Sequence, residues 1–205
     1  MSRLDRNLYK AINRFADRTG WAHGIVRMYA KDGIVVFAAL LLVAWWLGRT
    51  SATPIASVGK AVWAGAGALL ALAVNQPIGS AIDRARPYAV IPSMHLLVAK
   101  TADFSFPSDH ATIAGAVAGG LFLVSRRLGL IAIVAAVAMA FARVYVGAHY
   151  PGDVVAGLLL GATVTVVLGR LAARIIEPLL TALARTPLRP LITAERNADV
   201  GLASR

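Results

Sequence analysis

Five stretches of the chain carry no charged residue: 33–48, 61–82, 111–125, 128–142 and 154–169. They are apolar on every side, the pattern of helices surrounded by lipid or by other helices. Several have only 15 or 16 residues, short of the roughly 20 that a membrane-crossing helix needs. Each can be extended past a flanking Arg, Lys or His whose charged end reaches the interface. Residues 3–18 are patterned differently. Leu4, Leu8, Ala11, Ile12 and Phe15 recur at helical spacing, and Arg6, Lys10 and Arg14 lie off that stripe, which predicts a basic amphipathic helix lying in the membrane interface. Residues 21–32 are too polar to span, while Trp21, Tyr29 and the Trp45-Trp46 pair are interfacial anchors.

Punctuation between the runs completes the outline. The stretch 49–60, with Pro54, reads as a short loop. Pro77 predicts a kink in the second span, and the neighbouring Asn75 and Gln76 need partners inside the bundle. The longest internal connection is 88–107, with Pro92, His95, Lys100 and Asp103. Gly115-x-x-x-Gly119 and Gly157-x-x-x-Gly161 predict close helix approach. Pro178, Pro187 and Pro190 break up the end. The expectation is an all-α integral membrane helical bundle of about five to six transmembrane helices plus an N-terminal interfacial amphipathic helix. Its parts are an interfacial segment over 1–32, a transmembrane domain over 33–176 and a C-terminal tail over 177–205.

Composition supports the membrane assignment. The chain is 58% hydrophobic and 15% charged, against about 45–50% and 25% in soluble domains. The net charge of +11 would suggest nucleic acid in a soluble protein; here it belongs to lipid headgroups and loops, and no nucleic-acid partner is expected. The absence of cysteine excludes disulfides and thiol catalysis. The first 30 residues lack the apolar core of a cleavable signal peptide. No feature specifies an oligomeric state.

Ionisable residues at membrane depth mark functional sites, and they cluster in three places. Arg143, His149 and Asp153 surround the entry to the last span, where Pro151 suits a first helical turn. A carboxylate at Asp153 can reach one ring nitrogen of His149 and leave the other free. Ser108, within Pro107-Ser108-Asp109-His110, is a preferred N-cap whose helix would offer free backbone N–H groups to an anion. Arg84 and Arg86 end the second span, and guanidinium forks match phosphate oxygens. With five spans all three places fall on one side of the membrane. Three arginines at one mouth would repel unless an anion joined them, so the expected ligand is phosphate.

These residues resemble the motifs of the type-2 phosphatidic acid phosphatase superfamily of integral membrane lipid phosphatases: Lys-x6-Arg-Pro, Pro-Ser-Gly-His and Ser-Arg-x5-His-x3-Asp. The third block matches as Ala142-Arg143-x5-His149-x3-Asp153, without its opening serine, and the second as Pro107-Ser108-Asp109-His110, with Asp for Gly. The first matches in Arg86-Pro87 only. Its lysine position is Gly79, with Arg84 or, more weakly, Lys100 as the replacement. The run from Phe106 to Ala111 and the Arg-x-Arg-Pro form are most like the undecaprenyl-diphosphatase branch.

The resemblance implies a metal-independent membrane lipid phosphatase without cofactor, acting through a phosphohistidine, with polyprenyl (undecaprenyl) diphosphate as substrate and the site on the outer face of the cell membrane. Phosphatidate, phosphatidylglycerophosphate and a prenyl-linked sugar phosphate are alternative substrates; a non-catalytic lipid or anion carrier is the alternative class. The implied roles are His149 as nucleophile, Asp153 as its orienting acid and His110 as proton donor and acceptor. Arg86, Arg143, Ser108, Asp109 and Arg84 would surround the phosphate, with Asp109 expected to turn away from it or to bind an arginine.

Overall fold

The computed structural model describes residues 3–91 and 94–194. Pro92 and the end of the expected tail, 195–205, lie outside them. Eight helices make up the fold among the described residues: α1 (Arg3–Arg18), α2 (His23–Asp32), α3 (Ile34–Arg49), α4 (Pro54–Ile82), α5 (Pro87–Val90), α6 (Asp109–Val124), α7 (Arg126–Tyr145) and α8 (Pro151–Leu183). Pro54 and Pro151 open α4 and α8, where a missing N–H costs nothing. The loop expected over 49–60 is therefore only the few residues before Pro54. Likewise α8 runs through Pro178 to Leu183, past the point where proline was expected to end it.

The expected five to six membrane-crossing helices are not found. Three helical stretches are long and apolar enough to cross: Pro54–Val90, Arg126–Tyr145 and Pro151–Leu183. A fourth is gained if Gly20–Asp32 and Ile34–Arg49, bent by 58° at their junction, count as one broken span. Helices α3 and α6 have 16 residues each, or about 24 Å at 1.5 Å per residue, less than the roughly 30 Å hydrocarbon core. The apolar runs were real, but apolarity does not say what surrounds a helix. Helix α6 is apolar because it is the centre of the bundle, packed against α4, α7 and α8.

Small residues allow that central position. A Cβ on Gly115 would stand 2.2 Å from the Leu158 carbonyl oxygen, and one on Gly161 only 2.0 Å from that of Thr112, so α6 and α8 touch backbone to backbone. The break between α2 and α3 is made the same way: a Cβ on Gly33 would meet the Tyr29 carbonyl at 2.3 Å and Met139 Cε at 2.7 Å.

Helix α1 docks through Asp5, Tyr9, Asn13 and Ala16, all buried, one face at helical spacing. Asn13 exchanges two hydrogen bonds with the main chain of His95, donating from Nδ2 at 2.8 Å and accepting at 3.0 Å. Leu4, Leu8 and Phe15 stay exposed, leaving an apolar stripe for lipid. The chain thus rises and falls so that the ends of α2, α4 and α7 and the starts of α6 and α8 meet at one end of the bundle.

Candidate active site

That common end holds a cavity of about 860 Å³ whose walls include Arg86, Asp109, His110, Arg143 and His149. They come from four structural devices. Arg86 follows the C-terminus of α4 and caps α5. His110 sits in the first turn of α6. Arg143 is in the last turn of α7, and His149 lies in the loop before α8. Four places in the sequence, as far apart as 86 and 149, therefore meet around one space.

His149 is the most constrained of them. Its ring is 1% exposed. Nδ1 lies 2.8 Å from the Ser105 carbonyl oxygen. A carbonyl only accepts, so Nδ1 carries the proton and donates. Nε2 is then the lone-pair nitrogen, and Arg86 Nη1 at 3.1 Å and Arg143 Nη2 at 3.3 Å donate to it. Burial, followed by the Arg143 and Arg86 guanidinium groups, holds the imidazole pKa well below its ordinary 6.5, because each disfavours the cation. Its free electron pair is preserved at neutral pH.

The two arginines are held by oxygen atoms behind them. Arg86 donates from Nη2 to Asp103 Oδ2 at 3.0 Å and from Nη1 to the Ala148 carbonyl at 3.2 Å. Asp103 is raised by burial, but hydrogen bonding from Thr101 and the Arg86 charge outweigh that and keep it lowered. Arg143 donates from Nη1 to the Ala30 carbonyl at 3.0 Å, one of the free carbonyls at the end of α2. Both guanidinium groups are less than a tenth exposed and aim their remaining donors at the same point.

Other expected residues stand differently. Asp153 does not hydrogen-bond His149: the gap from Oδ2 to Nδ1 is 3.9 Å. Its Oδ2 accepts from Ser105 Oγ at 2.6 Å and from the Tyr150 N–H at 2.9 Å, while Oδ1 accepts from Arg84 Nη1 at 2.6 Å. Asp153 therefore fixes Ser105, and the Ser105 carbonyl fixes His149. Arg84 is outside the cavity. It bridges Asp153 and Asp5, lies 4.3 Å over the Tyr150 ring, and faces a separate cleft with Asp5 and Tyr150. Arg84 was expected to join the phosphate cluster; it stands apart from Arg86 and Arg143, with its guanidinium paired to two carboxylates. Ser108 is the N-cap of α6 as expected, but makes no side-chain cap bond; its hydroxyl is buried without a partner among the described residues, and it does not line the cavity. Asp109 lines the cavity, and its Oδ1 accepts from Asn75 Nδ2 at 2.6 Å and Gln76 Nε2 at 3.2 Å, which gives those amides the partners they needed. Lys100 does not line the cavity. His95 is an exposed loop residue paired with Asp17 at 2.6 Å.

Sequence reasoning gave no role to Ser105, Asp103 or Asp5, and missed α2 as a wall of the cavity. The α2 residues Arg27 and Lys31 line it, and the Lys31 main chain hydrogen-bonds His110. Among the described residues no group of three or more His, Asp or Glu side chains is placed to hold a metal ion.

Comparison with known proteins agrees with this architecture. The family model described as the PAP2 superfamily matches residues 60–176, which include all three site-bearing segments. The undecaprenyl-diphosphatase BcrC of Bacillus subtilis is 29% identical over 171 residues, 83% of each chain. The bacitracin transport permease protein BcrC of Bacillus licheniformis is 30% identical over 160 residues, 78% of this chain and 76% of that one. The crystal structure of Aquifex aeolicus LpxE superposes with a TM-score of 0.62 at 20% identity, covering 82% of this chain and 96% of its own, a likeness of fold. With a central α6 flanked by α4, α7 and α8 and two histidines facing two guanidinium groups at one end, this chain belongs to the PAP2 superfamily of integral membrane lipid phosphatases.

Proposed function

We propose that the chain removes the terminal phosphate of a polyprenyl diphosphate, of which undecaprenyl diphosphate is the leading case, through a phosphohistidine on His149. The observation that carries the mechanism is the state of Nε2, unprotonated and aimed, with Arg86 and Arg143, into a cavity shared with His110. Nε2 attacks phosphorus in line as the bond to the bridging oxygen breaks. His110, whose pKa burial and then the Arg143 charge lower to about 4, would take up a proton as the anionic diphosphate offsets those charges, and gives it to that oxygen, so the lipid leaves as a monophosphate. His110 then takes a proton from water, whose oxygen attacks phosphorus, releases inorganic phosphate and regenerates His149. Arg86 and Arg143, which converge on the Nε2 lone pair, would converge on the equatorial oxygens with a phosphoryl group present. Asp153 acts at one remove. It braces Ser105, and from 3.9 Å its charge would favour the cationic ring that forms on attack.

Similarity to the Bacillus subtilis undecaprenyl-diphosphatase over most of both chains supports the substrate. An outward-facing site is supported by Arg49, Lys60, Arg126, Arg127, Arg170 and Arg174, which lie toward the opposite end of the bundle, the cytoplasmic end by the positive-inside rule. The basic α1 at the site end is then a headgroup contact.

The test is phosphate release by purified protein from polyprenyl diphosphate, phosphatidate and phosphatidylglycerophosphate, with a His149→Gln variant alongside. The diphosphate should be the best substrate. The variant should keep its melting temperature and lose turnover by more than about a thousandfold. A His149→Gln protein that still releases phosphate refutes the nucleophile.

A further inference from the structure

One wall of the cavity is not explained by binding a single phosphoryl group. Gly24, Arg27, Met28 and Lys31 all line it, and their i, i+3, i+4, i+7 spacing makes them one face of α2. Among the described residues neither the Arg27 guanidinium nor the Lys31 ammonium has an ion-pair partner. Arg86 and Arg143, by contrast, are anchored by Asp103 and Ala30 and point at His149 Nε2. A Cβ on Gly24 would meet nothing within 4 Å, so the space beside the two cations is open. The cavity's 860 Å³ is in the range that holds a whole drug-sized ligand, far more than one phosphate needs. The nearest acid on that wall, Asp32, ends the helix and pairs with neither cation.

We infer that the Arg27–Lys31 face of α2 binds the second, non-transferred phosphate of a lipid diphosphate, and so makes the chain select diphosphates over monophosphates. The terminal phosphate meets Arg86, Arg143 and the histidines; the phosphate joined to the lipid meets α2 across the cavity. Two flexible cations at i, i+4 on an exposed helix face suit a group that must be released with the lipid after each turnover. The inference rests on the phosphatase reading for which phosphate is transferred. Its test need not rest there, since it is made on binding.

The probes are a prenyl methylenebisphosphonate, which cannot be hydrolysed, and the prenyl monophosphonate of equal tail length, both titrated against full-length protein in detergent. The parent protein should bind the bisphosphonate more tightly. In Arg27→Gln/Lys31→Gln that preference, the ratio of the two affinities, should fall by about tenfold, as expected for two charge-assisted contacts screened by water. Arg27→Lys/Lys31→Arg, with the charges kept, should retain the preference. Equal affinities in the parent, or an unchanged ratio in the glutamine variant, overturn the inference. A loss of the ratio that charge-keeping substitutions also cause overturns it too, since packing would then be the reason. If the parent discriminates between the probes but releases no phosphate from any lipid, the phosphatase reading fails and this subsite stands.

Discussion

Replacing Arg84 with methionine separates two readings of that residue by a measurable margin. The side chain is 19% exposed and joins Asp153, which is wholly buried, to Asp5, at 11%. Arg84→Met keeps the length and apolar stem but leaves Asp153 Oδ1 without its donor. Asp5 keeps the Gly152 N–H at 2.8 Å. Breaking a buried ion pair from one side costs about 3–5 kcal/mol. The solvent that reaches Arg84 places the expected loss near the lower end, about 3 kcal/mol. For a chain of this size that is a melting temperature lower by about 6–12 °C, read by thermal unfolding in detergent. Asp153→Asn added to Arg84→Met should recover part of the loss, because the stranded charge is gone. Turnover should fall as Ser105 and the 149–153 turn loosen. Inhibition by vanadate, which mimics the five-coordinate phosphorus, should change by less than about threefold, since Arg84 is outside the cavity. An Arg84→Met protein that melts within about 1 °C of its parent while vanadate binding weakens tenfold would put Arg84 back among the phosphate ligands and refute this reasoning.

Three more outcomes are set by particular contacts. Because His149 is held well below 6.5, its nucleophilic form persists on acidification: kcat/KM measured from pH 7.5 to 5.5 should show no loss centred near 6.5 from this residue. The same shift has a stability consequence. The unfolded chain takes up the proton that the folded one refuses, so stability should decline as pH falls below about 6.5; a His149→Gln variant whose melting temperature falls over that range as steeply as the parent's contradicts this. At the α6–α8 crossing, Gly161→Ala forces a Cβ to 2.0 Å from the Thr112 carbonyl and should destabilise by at least about 1–3 kcal/mol. Gly65→Ala, whose Cβ meets only Leu41 at 3.6 Å, should be neutral or slightly stabilising because alanine favours helix; equal melting temperatures for the two variants would refute the close approach.

Local chemistry, carried by short spacing, was readable without coordinates. Ser108 at a helix start, Pro151 opening a helix, the lipid-facing apolar stripe of α1 and apolar runs dense enough to require a membrane all depend on neighbours within a few residues; the face by which α1 docks, Asp5, Tyr9, Asn13 and Ala16, does not. The convergence of Arg86, His110, Arg143 and His149 followed from alternation of direction alone. Although the span count was too high, each run still reverses the chain, so the ends carrying those residues still meet. Three matters belonged to tertiary structure. Lipid and protein interior are equally apolar, so the sequence could not say that α6 is a short helix enclosed by its neighbours and not one more membrane span. A charged side chain takes whichever partner the fold brings closest. Arg84 therefore answers to Asp5, 79 residues away, and Asp153 holds Ser105 in place of His149. The wall formed by Arg27 and Lys31 exists because α2 bends at Gly33 over the cavity, an arrangement set by the packing of Tyr29 and Met139 around a residue with no side chain.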